Sequence, residues 1–154
     1  MSLRSTDDSD GIEEAIKEAR ELGIIVVAAA GNRALSDPEV FPAMERIAIG
    51  VAALDDQGVK ATWSNYHDDL FLSAPGASLP LEPGALPDPA LSIVSALPDG
   101  GYAIWEGTSM AVPLVSGSIA LIRAQYPDHP LQESLVELIE QRLESSAAPI
   151  DALN

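Results

Sequence analysis

Apolar side chains fall into two kinds of pattern along this chain, and the difference between them predicts its elements. Ile12, Ala15, Ile16, Ala19 and Leu22 recur at helical spacing with Glu13, Glu14, Lys17, Glu18 and Arg20 between them, which predicts an amphipathic surface helix. Asp10 stands in N-cap position with Glu13 three residues on, and Gly23 supplies a C-terminal stop. The run from Ile24 to Ala30 then contains no polar residue at all. Continuous rather than alternating hydrophobicity marks a strand buried on both faces, as in a parallel sheet covered by helices. Ile47 to Ala53 predicts a second such strand and Leu70 to Ala74 a shorter third.

Periodicity is lost from Leu79 to Ala90, where four prolines mix with acidic residues; this is read as an exposed loop, inserted over 79–91. Ser92 to Leu97 and Tyr102 to Trp105 flank Pro98-Asp99-Gly100-Gly101, a hairpin signal. Leu131, Leu135, Leu138, Ile139 and Arg142 are again in helical register, so a last amphipathic helix is expected over Leu131 to Leu143. No internal repeat and no linker interrupts the chain. The order of elements predicts an α/β layered domain, a partial parallel sheet flanked by helices.

One segment departs from both patterns. Gly107-Thr108-Ser109-Met110-Ala111-Val112-Pro113 opens a stretch with no charged side chain from Met110 to Ile122, and its apolar residues spread around most of a helical wheel. A helix of that kind belongs inside a core. Pro113 fits best in a first turn, so the helix is expected to begin near Ser109, with Thr108 or Ser109 as its cap. Either residue puts a hydroxyl at the positive end of a buried helix. A serine there is a simple cap in most proteins, and a nucleophile where a base and oxyanion donors stand beside it.

Composition narrows the partners. The chain has 154 residues, 47% of them apolar, which is enough for one domain with a real core. A formal charge of −16, from 24 acidic against 8 basic residues, argues against nucleic acid or an anionic membrane, because both are bound by clustered Lys and Arg. No run approaches the length of a membrane span, and Met1-Ser2-Leu3-Arg4 carries no apolar leader core. Cysteine is absent, so neither disulfides nor thiolate metal sites are available.

The Gly107 to Pro113 segment resembles the nucleophile signature of the subtilisin-like serine peptidases. Shorter matches occur in family order. Val26 to Asn32 resembles the strand ending Ala-Ala-Gly-Asn, Phe41-Pro42-Ala43 resembles Tyr-Pro-Ala, and Gly50-Val51-Ala52-Ala53 resembles Val-Gly-Ala. Trp63-Ser64-Asn65 and Ala74-Pro75-Gly76 stand where the family has Phe-Ser-Asn and Ala-Pro-Gly. Met1-Ser2-Leu3 resembles the end of the family strand that lines the substrate cleft. The departures are Leu114, where the family has His, Ser116, where Ala is common, and Arg4, where it has a small Gly.

The resemblance implies a three-layer subtilisin-like fold with a buried helix starting at the nucleophile. It implies that Ser109 attacks the scissile carbonyl and that Asn32, with the Ser109 backbone N–H, forms the oxyanion hole. Taken alone, Asn32 after a glycine at a strand end is a turn residue. Ala29, Ala30 and Gly31 are implied as one wall of the pocket for the residue before the scissile bond, and Ser2, Leu3 and Arg4 as the other. The family's Asp-x-Gly and His-Gly-Thr motifs do not occur here. His67, between polar neighbours, and His129 match neither catalytic position and are read as solvated surface residues.

The chain as a whole, 1–154, is therefore expected to be a partial subtilase domain whose Asp/His-bearing N-terminal part lies outside it. The activity implied is peptide hydrolysis by acyl transfer, negligible in the chain alone for want of base and orienting carboxylate. Expected partners are a peptide or protein substrate and either the missing half or a second copy. No metal site is legible; calcium and secretion are family properties that the residues themselves do not encode. A non-catalytic interaction module on the same scaffold is the alternative. An unrelated nucleotide-binding α/β fold would need a Gly-rich phosphate loop, which Ala30-Gly31-Asn32-Arg33 does not provide.

Overall fold

A computed structural model describes residue 1 and residues 10–36, 40–43, 46–67, 70–77 and 92–148. The chain folds as α1 (Asp10–Glu21), β1 (Val27–Ala29), β2 (Ile49–Leu54), β3 (Leu72–Pro75), β4 (Val94–Ala96), β5 (Tyr102–Ile104), α2 (Thr108–Arg123) and α3 (Glu133–Ser146). Each element expected from the hydrophobic pattern is present. The proline-rich stretch 79–91 lies outside the described residues.

β1 is shorter than its apolar run because the start of that run closes the preceding helix. Gly23 takes φ 73°, its N–H donates to the Arg20 carbonyl, and the Ile24 N–H donates to the Ala19 carbonyl. This pair of bonds is a Schellman closure. A side chain at position 23 would also strike the backbone of Leu131 and Gln132. Only after Ile24 has capped α1 is the chain released into the sheet.

β1, β2 and β3 lie side by side in that order and are parallel, with Val27 opposite Ile49 and Val51 opposite Leu72. β4 and β5 form a separate antiparallel hairpin, turning through Gly100 and Gly101 at φ 85° and 86°. Alternate residues of the three-stranded sheet feed two cores. Val27, Ala29, Ile49, Val51 and Ala74 pack with Ala111, Val112 and Val115 of α2 and with Leu135, Ile139 and Leu143 of α3. On the other face Ala28 and Ala48 pack with Ile16 of α1 and with Val40, Phe41 and Ala43. The result is the expected three-layer α/β arrangement.

α2 differs from its expectation in two respects. Its burial is one-sided: Thr108, Ala111, Val112 and Val115 are buried, whereas Leu114 is 42% and Leu121 73% exposed. All-round burial needs cover on two sides, and the described residues supply it on the sheet side. The hydroxyls of Ser116 and Ser118 fold back onto the Val112 and Leu114 carbonyls, so the uncovered face is more apolar than its composition suggests. Second, Pro113 is the sixth helical residue rather than a first-turn one, which withdraws the donor that would meet the Ser109 carbonyl.

α1 and α3 are joined by Arg20. Its Nη1 and Nη2 donate to the two Glu140 carboxylate oxygens at 2.7 and 2.8 Å, and Nε lies 3.4 Å from Glu133. The bond to Glu140 raises the guanidinium pKa above its ordinary value, with burial opposing. Arg20 and Glu140 are 18% and 17% exposed, so this bidentate pair is less screened than a surface pair. Arg20→Met is expected to lower unfolding stability by about 1–2 kcal/mol in urea denaturation. Breaking the exposed Glu13–Lys17 pair should change it by less than about 0.5 kcal/mol.

Candidate active site

Two elements that are distant in sequence end at the same point. β1 stops at Ala29, and Gly31 turns the chain at φ 97°, leaving Asn32 exposed at the mouth of the sheet's carboxyl end. α2 starts there, after Gly107 at φ 147°. The helix has no side-chain cap of its own; neither Thr108 nor Ser109 caps it, contrary to expectation. Asn32 does so from 76 residues away: its Oδ1 accepts the Thr108 N–H at 3.0 Å and the Thr108 hydroxyl at 2.9 Å. The same hydroxyl oxygen accepts the Gly31 N–H at 3.1 Å. A buried hydroxyl with one proton and two lone pairs is thus used as donor and acceptor.

This triangle fixes the Asn32 amide. With Oδ1 committed to two donors on Thr108, Nδ2 is the end left outside these bonds. A side chain on Gly107 would stand 3.3 Å from that Nδ2, so the glycine supplies both the backbone angle and the space. The Gly107 N–H donates to the Gly76 carbonyl at 2.7 Å, and a Cβ on Gly76 would lie 2.8 Å from the Gly107 carbonyl oxygen. Ala74-Pro75-Gly76 is therefore the end of β3 that carries the turn into α2.

Ser109 follows Thr108 as the second residue of α2, half-buried, and its N–H is one of the first-turn donors at the helix's positive end. Beside it opens a cavity of about 460 Å³ between α2 and the β4–β5 hairpin, lined by Trp105, Met110, Pro113, Leu114 and Leu97 among others. Neither His67 nor His129 lines it. The His129 Nδ1 instead meets the Pro130 carbonyl at 3.1 Å. Among the described residues no group of three or more His, Asp or Glu is placed to hold a metal ion.

Of the residues singled out in the sequence, Asn32 and Ser109 come together at one helix end. Ala29, Ala30 and Gly31 are buried immediately before Asn32. Ser2, Leu3 and Arg4 lie outside the described residues. Met1, next to them, donates its amine to the Val27 carbonyl and accepts the Ala29 N–H, which is the bonding of a parallel neighbour to β1. Sequence reasoning missed Thr108 as the partner of Asn32. Its place inside the Gly107 to Pro113 motif was the available signal, but a hydroxyl beside a helix start reads locally as a cap.

A profile of the subtilase family matches residues 1–152. The chain belongs to that family of serine peptidases. It is 33% identical over 147 residues to the thermostable alkaline protease of Halalkalibacterium halodurans, covering 96% of this chain and 35% of the relative. It is 36% identical over 127 residues to alkaline elastase YaB of a Bacillus species, covering 82% and 30%. A protease of Pseudoalteromonas arctica has a solved structure that superposes with a TM-score of 0.80 at 29% identity, covering 97% of this chain and 43% of that one. The chain thus spans about a third of these curated relatives and less than half of that solved structure.

Proposed function

We propose that this chain is the nucleophile-bearing part of a subtilisin-like serine endopeptidase domain. Ser109 attacks the scissile carbonyl, and the Asn32 amide with the Ser109 N–H receives the charge that develops on its oxygen. The observation that carries the reading is the double bond from Thr108 to Asn32 Oδ1, which holds Asn32 at the helix end that carries Ser109 and leaves its amide N–H₂ outside those bonds. An amide so held needs no reorganisation when the tetrahedral intermediate forms. The base that takes the Ser109 proton and the carboxylate that orients it come from the portion of the domain that this chain does not match, in the same polypeptide or supplied separately. Alone, the chain has negligible activity. Ala29 to Gly31 and Ser2 to Arg4 border the substrate, which is a peptide or protein. Secretion goes with the family.

The uncovered face of α2 supports the same reading. Leu114, Ser118 and Leu121 border a groove of about 440 Å³ between α2 and the edge strand β3, and apolar surface of this kind marks a docking site. In the completed domain it is covered by the remaining portion; in the isolated chain, by a second copy. A sharply monomeric species in sedimentation, with a cooperative melt, would contradict that.

Fluorophosphonate labelling tests the chemistry. The chain alone should remain unlabelled, and Ser109 should be labelled once an N-terminal subtilase half is added. Labelling of the chain alone would mean that another base has been recruited, and absence of label in a shown complex of the two halves would favour a non-catalytic scaffold. The exposed Leu114, in place of the family His, and Arg4, in place of its small Gly, are the features that favour this second reading.

Asn32→Asp separates the two jobs of that side chain. The carboxylate can still accept both Thr108 bonds, but it presents an anion where the amide donated. Hydrolysis by the completed domain is expected to fall by roughly 10²–10³ in kcat, the loss known for the corresponding donor of subtilisin. KM should hardly change, and the melting temperature should stay within a few degrees.

A further inference from the structure

Ser64 and Asn65 are both 0% exposed, and buried polar side chains are costly unless hydrogen bonds replace their water. Asn65 spends its side chain on one short segment. Oδ1 accepts the N–H groups of Arg33 and Leu35 at 3.0 and 3.1 Å, and Nδ2 donates to the Ala30 carbonyl at 2.8 Å. Its own N–H donates to the Gly31 carbonyl at 2.9 Å. These four bonds fall on residues 30 and 31 before Asn32 and on 33 and 35 after it. Asn32 itself is skipped.

The clamp is anchored in the sheet. Ser64 Oγ accepts the Ala53 N–H of β2 at 2.9 Å and donates to the Asn65 carbonyl at 3.0 Å. The segment it grips is not self-supporting, since Gly31 and Ala34 take φ 97° and 56°, and for alanine that conformation must be held by its surroundings. Ala34 is held by its N–H bond to the Trp63 carbonyl at 2.8 Å. Residues 63–65 therefore grip the turn on both sides of Asn32 and leave its side chain exposed.

We infer that Asn65 is a positioning residue for the oxyanion donor: it sets the backbone from which Asn32 reaches Thr108, and acts on catalysis only through Asn32. The catalytic part of this inference rests on the proposed function; the structural part does not. Both can be tested on Asn65→Ala, with Asn65→Ser as the milder variant should the first fail to fold.

In the chain alone, hydrogen exchange of the Thr108 N–H, which donates to Asn32 Oδ1, reports whether Asn32 is in place. It is expected to exchange about tenfold faster in the Asn65 variant, because an opened turn withdraws its acceptor, while amides of β2 keep their protection. An unchanged Thr108 amide in a folded variant overturns the inference. With the N-terminal half present, the rate of fluorophosphonate labelling of Ser109 is expected to fall at least about tenfold, part of the effect of losing an oxyanion donor. In an Asn32→Ala background the Asn65 substitution should cost less than about twofold, because an effect exerted through Asn32 disappears with it. A full additional loss there means a general structural role and overturns the inference. Failure of the parent protein to label would overturn the proposed function instead, and exchange of the Thr108 amide would then decide the positioning of Asn32.

Discussion

Replacing Ser109 by alanine is expected to abolish fluorophosphonate labelling and to lower peptide hydrolysis by the completed domain about 10⁶-fold, the loss known for the nucleophile of subtilisin. The size follows from what is removed. Without the hydroxyl no acyl-enzyme can form, whereas the Asn32 amide and the helix end remain and still polarise a bound carbonyl. Residual catalysis over water should therefore persist, on the order of 10³-fold, and should shrink further in Ser109→Ala combined with Asn32→Asp. Stability should barely move, because alanine is a good helix residue and Asn32 already caps α2 through Thr108. Progress curves with a chromogenic peptide, at saturating N-terminal half, provide the measurement. Turnover within about tenfold of the parent would remove Ser109 from the mechanism.

Gly50→Ala is expected to have the largest effect on folding. Gly50 lies in β2, the middle strand, opposite Ala28 of β1. A Cβ there would stand 2.1 Å from the Ala43 carbonyl oxygen and 2.7 Å from Leu70 Cδ2. The leucine tip could swing aside, but the carbonyl is backbone, and Phe41 and Ala43 around it are buried. Either the 41–43 segment or the centre of the sheet must move, at a cost of about 3 kcal/mol or more. Gly11→Ala is the control of opposite sign. It lies in α1 with nothing within 4 Å of its Cβ position, so alanine there should add about 0.5–1 kcal/mol. Urea denaturation of both variants decides the matter, and a Gly50→Ala protein as stable as the parent would mean that the close approach to Ala43 is not a constraint.

Gly50 also illustrates what a sequence leaves unexplained. A glycine inside an apolar run is visible at once, and its match to a family motif says that it belongs there, but the reason is the Ala43 carbonyl oxygen pressed against it in the fold. Ala74-Pro75-Gly76 and Trp63-Ser64-Asn65 behave in the same way. Each is recognisable as a motif, and neither reveals along the chain what it does, which is to hold Gly107 and the two sides of Asn32.

The kinds of element and their order were legible along the chain, because burial on one face, two faces or none writes a period of about 3.6, an unbroken run or no period into neighbouring residues. So was the Gly107 to Pro113 motif, and with it the candidate nucleophile. Folding in three dimensions was needed to establish that the cap of α2 is Asn32 rather than Thr108 or Ser109, that Leu121 is exposed, and that Asn65 is spent on the turn around Asn32. The physical reason is common to all three. Local patterns record whether a residue is suited to burial, whereas a hydrogen bond between residues 30 or 76 positions apart, or the cover over one helix face, depends on where the fold brings two chain segments, and no periodicity along the chain encodes that meeting.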